Sequence, residues 1–245
     1  FKKTLIASGL LAASLAASPI MAKVDAGQAA KIGAELTALG AEKAANADGS
    51  IPEFTGGLKD SPACYDGTSF LCNPFPDDKM LFEITAANLD QYKDKLSPGQ
   101  IAMFATYPDT YKMPVYQTRR TAALPESVYA ATKINATTTG LAKGGNGLVD
   151  YTVRGYPFPI PNDGVEAIWN HIVRYRGESA TRITGQATPQ VNGAFNVVIF
   201  EDEVAFRFGL KDIKPGEDEN VLFYFKQKVK SPARLAGNVL LVHET

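Results

Sequence analysis

GYPFPIPNDGVEAIWNHIVRYRG, residues 155–177, separates a loop-and-helix half of the chain from a half patterned almost entirely as strands. Pro157, Pro159 and Pro161 stand at alternate positions. Each fixes φ and removes a backbone donor, so the segment runs extended and stays out of the middle of any sheet. Asp163 with Glu166 three residues on is a helix start of the capping-box kind. Val165, Ile168, Trp169, Ile172 and Val173 then recur at helical spacing as one apolar stripe. Tyr175 and Gly177 end it with a β-former and a breaker. The expected structure is a helix packed on a sheet through Trp169.

Beyond Gly177 the period changes to two. Residues 181–187 alternate weakly, and Asn192-Gly193 is a hairpin turn signal. Residues 195–208 read as one long strand, or two bent at the acidic Glu201-Asp202-Glu203. Val204, Phe206 and Phe208 are expected on one face, with Ala205 and Arg207 opposite. Val221, Phe223, Phe225 and Val229 alternate against Lys226, Lys228 and Lys230, the mark of a strand buried on one side. Residues 235–243 give a last strand, and its apolar ending reads as a sheet set to continue.

Working back from Gly155, helices and loops dominate. Asp25 caps a first helix with Ala29, Ile32 and Leu36 on one face. Residues 45–78 are rich in Pro, Gly and Asp and form a long surface loop. Thr85 is read as the cap of a helix reaching Lys95. Ser97-Pro98-Gly99-Gln100 is a strong start for another. Residues 111–118 make an edge strand, because Pro114 forbids a central one. Pro125 opens a further helix to Asn135, and Gly144-Gly145-Asn146-Gly147 is a turn between two β-like runs. The fold class is therefore α+β, an antiparallel sheet with helices on one side. Residues 23–154 and 155–245 are read as two parts of one domain.

Residues 1–22 read as a secretory leader: Lys2 and Lys3, an apolar run over 5–17, and Ile20-Met21-Ala22 as the cleavage site. The run is too short for a membrane span, and Lys23 rather than Cys follows it. The expected location is the periplasm. The chain holds 25 basic and 26 acidic residues, a net charge of −1. A near-neutral balance lacks the basic face that nucleic acid requires. Cys64 and Cys72 are the only cysteines. In an oxidising compartment a disulfide across their short, turn-rich loop is expected, since their spacing matches no redox or zinc motif.

Motifs of catalysis are missing from the sequence. His171 falls in the Trp169 helix and His243 in the last strand. No nucleophile elbow, His-Glu-x-x-His pair or phosphate loop occurs. The glycines at 144, 145 and 147 lack a following helix and the Lys-Ser/Thr pair. No enzyme, cofactor or metal is expected. Tyr116 with Arg119 and Arg120 offers either a contact for an anionic group or partner carboxylate, or a plain exposed basic pair. Val198, Phe200, Val204, Phe206, Phe208, Phe223 and Phe225 form an aromatic-aliphatic set. It reads as a packed core or as the wall of a cavity for an apolar ligand, and periodicity does not separate the two.

NADGSIPEFTGG, ITAANLDQYKDKLSPGQ, TYPDTYKMPVYQTRRTA, the PFPIP and EAIWNHIVRYRG pair, and SPARLAGNVLLVHET together resemble one family. It is the uncharacterised proteobacterial family labelled outer-membrane lipoprotein-sorting protein, grouped with the periplasmic carriers LolA and LolB. The match runs over residues 23–245 and is similar to the N-terminal half of longer members. The resemblance implies an open, curved antiparallel half-barrel covered by helices around an apolar cavity. It implies transport of a lipid, a lipoprotein acyl chain or another hydrophobic ligand. It also implies outer-membrane or RND-type transporter partners, from which follows the alternative of an envelope scaffold. No catalytic residue is carried over with it.

Overall fold

The computed structural model describes residues 24–67, 72–211, 213 and 221–244. The leader read at 1–22 and the acidic stretch Glu217-Asp218-Glu219-Asn220, read from the sequence as a solvated turn, lie outside the described residues.

In chain order the elements are α1 (Ala26–Ala30), β1 (Phe82–Ile84), α2 (Pro98–Thr106), β2 (Met113–Val115), α3 (Glu126–Thr138), β3 (Gly140–Leu141), β4 (Leu148–Val149) and α4 (Gly164–Ile172). The strands β5 (Ser179–Pro189), β6 (Phe195–Phe206), β7 (Phe223–Ser231) and β8 (Val239–Glu244) complete the set. The protein is α+β with antiparallel sheets, and among the described residues no sheet closes into a barrel. The change of pattern at Gly155 falls inside a compact unit, because the chain divides into two units near Glu126.

The unit holding Ala34–Thr37 and Ala41–Pro125 is loop-rich and stapled. Arg120 sends Nη1 to the carbonyls of Lys43 (3.1 Å) and Pro52 (3.3 Å), and its guanidinium lies over the Phe54 ring. Gly57 has φ +75°, and a Cβ there would lie 2.3 Å from the Ala122 carbonyl, so only glycine fits. Cys64 and Cys72 are disulfide-bonded with Cα atoms 6.0 Å apart. The start signal at Ser97 forms a full capping box, with Gln100 N donating to Ser97 Oγ and Ser97 N to Gln100 Oε1.

The helix expected from Thr85 to Lys95 is not continuous. Residues 82–84 instead pair antiparallel with Met113–Val115, and two single 3₁₀ turns follow at Leu89–Gln91 and Lys93–Lys95. Thr85 gives both its N–H (2.7 Å) and its hydroxyl (3.4 Å) to Asn88 Oδ1 rather than accepting from a helix N–H. Pro114 tolerates this ribbon because each strand is an edge.

The second unit, from Glu126 onward with Ala38–Gly40 and the stretch ending at Gly33, carries the large sheet in the order β5-β6-β7-β8. Asn192-Gly193 makes the β5–β6 turn, with Gly193 at φ +82°. Register shifts between Ile199 and Phe200, placing a bulge against β7. Two expectations are corrected here. Strand β6 ends at Phe206, so Phe208 sits in a 3₁₀ turn (Arg207–Gly209), although its ring still lies 5.5 Å from that of Phe206. The stripe of α4 is also narrower than its period suggests. Trp169 and Val173 are buried, whereas Val165 is 44% and Ile168 52% exposed. Phe158, Trp169, Val173, Phe206 and Phe208 form the core under this helix.

Candidate functional site

Helix α3 positions the chain entering the proline run. Asn135 Nδ2 donates to the carbonyls of Thr152 (2.9 Å) and Tyr156 (3.3 Å), while its Oδ1 accepts from Thr152 N (2.8 Å). Thr132 Oγ1 accepts from Tyr156 N. Gly155 lies so close to α3 that a Cβ would meet Thr132 N at 2.4 Å. Further on, Asn170 of α4 clamps both backbone groups of Phe158, at 2.9 and 2.7 Å. Asp163 caps α4 by accepting from Val165 N and Glu166 N. Buried Glu166 reaches back to Asn162 N (2.6 Å). The prolines supply an extended chain without donors, and two asparagines hold what remains.

This framework leaves a cleft of about 1070 Å³ beside the sheet. Its walls include Val149, Tyr151, Trp169, Val173, Phe208 and Leu222, with Arg207 among the polar groups. Trp169 Nε1 donates to the Gly145 carbonyl (2.9 Å), which ties the β3–β4 turn to α4. Tyr151 donates to the Gly155 carbonyl (2.9 Å). Burial pushes its phenol well above the ordinary value, against the opposing charge of Arg207, so it stays neutral. The wall thus mixes apolar and aromatic side chains with the polar residues Asn146, Asp150, Thr152 and Arg207, and the Tyr151 hydroxyl and Trp169 indole are already hydrogen-bonded.

The sheet face turned toward α4 is built in rows. Cross-strand register aligns Phe206 with Phe223, then Ala180, Val204, Phe225 and Val242, then Arg182, Asp202, Gln227 and Leu240, then Thr184, Phe200 and Val229, with Val198 beyond. Val198, Phe200, Val204, Phe206, Phe223 and Phe225 therefore share one face. They do not share one environment. Phe206 and Phe208 are core under α4, with Val204 and Phe223 packed against them. Val198, Phe200 and Phe225 are half-buried farther along.

A polar row interrupts the aromatic face. Asp202, with 1% of its side chain exposed, accepts from Arg182 Nε (3.0 Å), Thr184 Oγ1 (3.0 Å) and Gln227 Nε2 (2.9 Å). Burial alone would raise this carboxyl, but the bonds from Gln227, Arg182 and Thr184 together hold it below its ordinary value. On the opposite face Lys226 pairs with Glu203 and Lys230 with Glu201. The acidic triplet alternates faces, and only its middle member is buried.

Tyr116, Arg119 and Arg120 belong to the loop-rich unit. Arg119 is engaged by Asp78 and stacked 4.4 Å from the Phe75 ring, and Arg120 is spent on the carbonyls named above. Tyr116 is exposed. The cleft residues Val149, Tyr151 and Leu222 escaped sequence reasoning, because they come from a hairpin, a loop and a strand approach with no common period, unlike Val173 of the Trp169 stripe. Trp169 was the available signal. Among the described residues no group of three or more His, Cys, Asp or Glu side chains could hold a metal ion, and no helix is long and apolar enough to cross a membrane.

A family model described as a protein of unknown function, DUF1329, matches residues 83–245, which include the whole of the large sheet. An uncharacterized protein of Pseudomonas aeruginosa, PA3922, is 58% identical over 243 residues, 99% of this chain. The chain spans about half the length of that curated relative, 53%. No solved structure matches.

Proposed function

We propose that this chain, which belongs to the DUF1329 family of proteins of unknown function, is an exported carrier for a hydrophobic ligand such as a lipid or a lipoprotein acyl chain. One observation carries the reading: the cleft of about 1070 Å³ beside the sheet, in which Val149, Tyr151, Trp169, Val173, Phe208 and Leu222 gather. Small-molecule pockets span about 300–1,000 Å³, so the space suits a chain of some length. Each buried CH₂ contributes about 0.8 kcal/mol, and an acyl chain is held by area alone, with no catalytic group. An antiparallel sheet with a helix packed on one face is compatible with the half-barrel that the resemblance to LolA and LolB implies. The leader read from the sequence at residues 1–22 suits a carrier working in the periplasm. The test is native mass spectrometry of the full chain purified from its source cells, followed by organic extraction. A stoichiometric apolar adduct released on unfolding supports the carrier; a bare mass that stays bare after incubation with lipids overturns it.

A second reading, an envelope scaffold for an outer-membrane or RND-type transporter partner, draws on a different observation. Met80, Leu81, Phe82 and Tyr116 are all exposed around the β1–β2 ribbon of the loop-rich unit. Crosslinking in intact cells separates the readings, since the scaffold gives a defined protein adduct through this ribbon.

A further inference from the structure

Arg176 stands apart from the arginines that brace this unit. Its guanidinium lies 4.4 Å from the centre of the Phe206 ring and 5.9 Å from that of Phe208. Phe208 also forms part of the cleft wall. No hydrogen bond or ion pair joins Arg176 to another described residue. Arg154, Arg174 and Arg182, by contrast, each donate to an oxygen of their own surroundings. A guanidinium held over a ring through its carbon spends no N–H donor on that contact, and free guanidinium donors receive a carboxylate or phosphate through two parallel bonds.

Its surroundings favour an anion. Arg182 lies on the same sheet face, two register rows from Phe206, because Arg182 aligns with Asp202. Between the two arginines runs the apolar row Ala180, Val204, Phe225 and Val242, in which Val242 is 36% exposed. The nearby acids are already engaged, Asp202 by three donors and Glu178 by Arg154 and Lys211. Burial and the charges of Arg174 and Arg182 weaken the hold of Arg176 on its proton, a burden that a bound anion relieves.

We propose that the ligand is an amphiphile with an anionic head group, carboxylate or phosphate, bound by Arg176 over the Phe206 ring while its chain lies in the cleft that Phe208 helps to wall. This rests on the carrier reading of the same unit.

The test compares dodecanoate, dodecyl phosphate and dodecanol on the full chain, following Trp169 fluorescence, with acetate and inorganic phosphate as controls for the free anions. Wild type is expected to bind at least one of the two anionic amphiphiles about tenfold tighter than dodecanol, the worth of one charge-assisted hydrogen bond. Whichever binds tighter names the head group, and the free anions alone should bind far more weakly. Arg176→Gln should bring that preference to near one while leaving dodecanol unchanged. Arg176→Met, which keeps the cover over both rings, should do the same and serves if the glutamine variant fails to fold. If dodecanol binds wild type as tightly as the anions, or the preference survives in a folded variant, the head-group proposal fails and the carrier stands. If acetate or phosphate binds as tightly as the amphiphiles, the site takes a free anion and the proposal fails as well. If none of the three chains binds, the carrier fails and the proposal with it.

Discussion

Arg154 donates from Nη1 to the Gly209 carbonyl at 2.6 Å, and this bond fastens the loop before the proline run to the turn that ends β6. The same side chain meets Glu178 (3.2 Å) and the Tyr175 hydroxyl (3.2 Å). It does so from φ +76°, a conformation that L-residues rarely adopt, and with a buried Nε that has no partner. Arg154→Ala is expected to lose about 2–4 kcal/mol of stability. Arg154→Gly loses the same contacts but relieves the backbone, and should be the more stable of the two by about 1 kcal/mol. Urea denaturation checks the order. A glycine variant below the alanine variant would show that the backbone is not strained.

Close packing of Gly155 on α3 gives a second expectation. A Cβ there meets Thr132 N at 2.4 Å and the Ala131 carbonyl carbon at 2.5 Å, both backbone atoms that cannot step aside. Gly155→Ala should cost about 3 kcal/mol or more and loosen the Asn135 bonds to Thr152 and Tyr156. Thermal unfolding that matches wild type would contradict this placement.

The Asp202 row makes the sheet sensitive to acid. Its folded carboxyl lies below the unfolded value, so the stabilisation is fully present above the unfolded pKa of about 4. Below that the unfolded chain takes up the proton first, and stability falls as pH drops through the folded pKa. Asp202→Asn removes this contribution. Its stability at pH 7 should be lower by about 1–3 kcal/mol, with a flatter loss between about pH 5 and pH 2. Urea midpoints across that range test the sign, and parallel curves for the two proteins would contradict it.

Trp169 is the only tryptophan, and its indole holds the tip of the β3–β4 hairpin. Trp169→Phe keeps a ring in the core but drops the bond to Gly145. The hairpin amide of Ala142, which donates to Gly147 O at 2.9 Å, should then exchange its hydrogen faster by about tenfold. Unchanged exchange would mean the hairpin holds itself.

Local chemistry made much of this fold legible. Asp163, Ser97 and the Asn192-Gly193 pair each fix a cap or turn through a side chain or a φ that the sequence states outright. The alternation of Phe223, Phe225 and Val229 against lysines gave the face of β7 correctly, because a half-buried strand carries its face in its period. What escaped depends on residues far apart in the chain. Residues 82–84 pair with 113–115, a partnership no local window contains, so the sequence reading placed no strand at 82–84. Asp202 was legible only as the middle of an acidic triplet on a strand, and register sets it opposite Arg182 and Gln227. Of the aromatic set, Val198, Phe200, Val204, Phe206, Phe223 and Phe225 share a face and Phe208 lies in the turn beyond it; the cleft lies largely beside that face, on residues whose convergence only the tertiary structure defines.

The most direct test of the carrier is to fill the cleft from its rim. Val149 is half-exposed on β4 and forms part of the wall, so Val149→Trp adds bulk there without touching the core under α4. Native mass spectrometry should show a one-to-one adduct on wild type with whichever of dodecanoate and dodecyl phosphate binds tighter. On a Val149→Trp protein with unchanged circular dichroism that adduct should be weakened about tenfold or more. Equal occupancy in the two proteins, or no adduct on either, would contradict the cleft as the binding site.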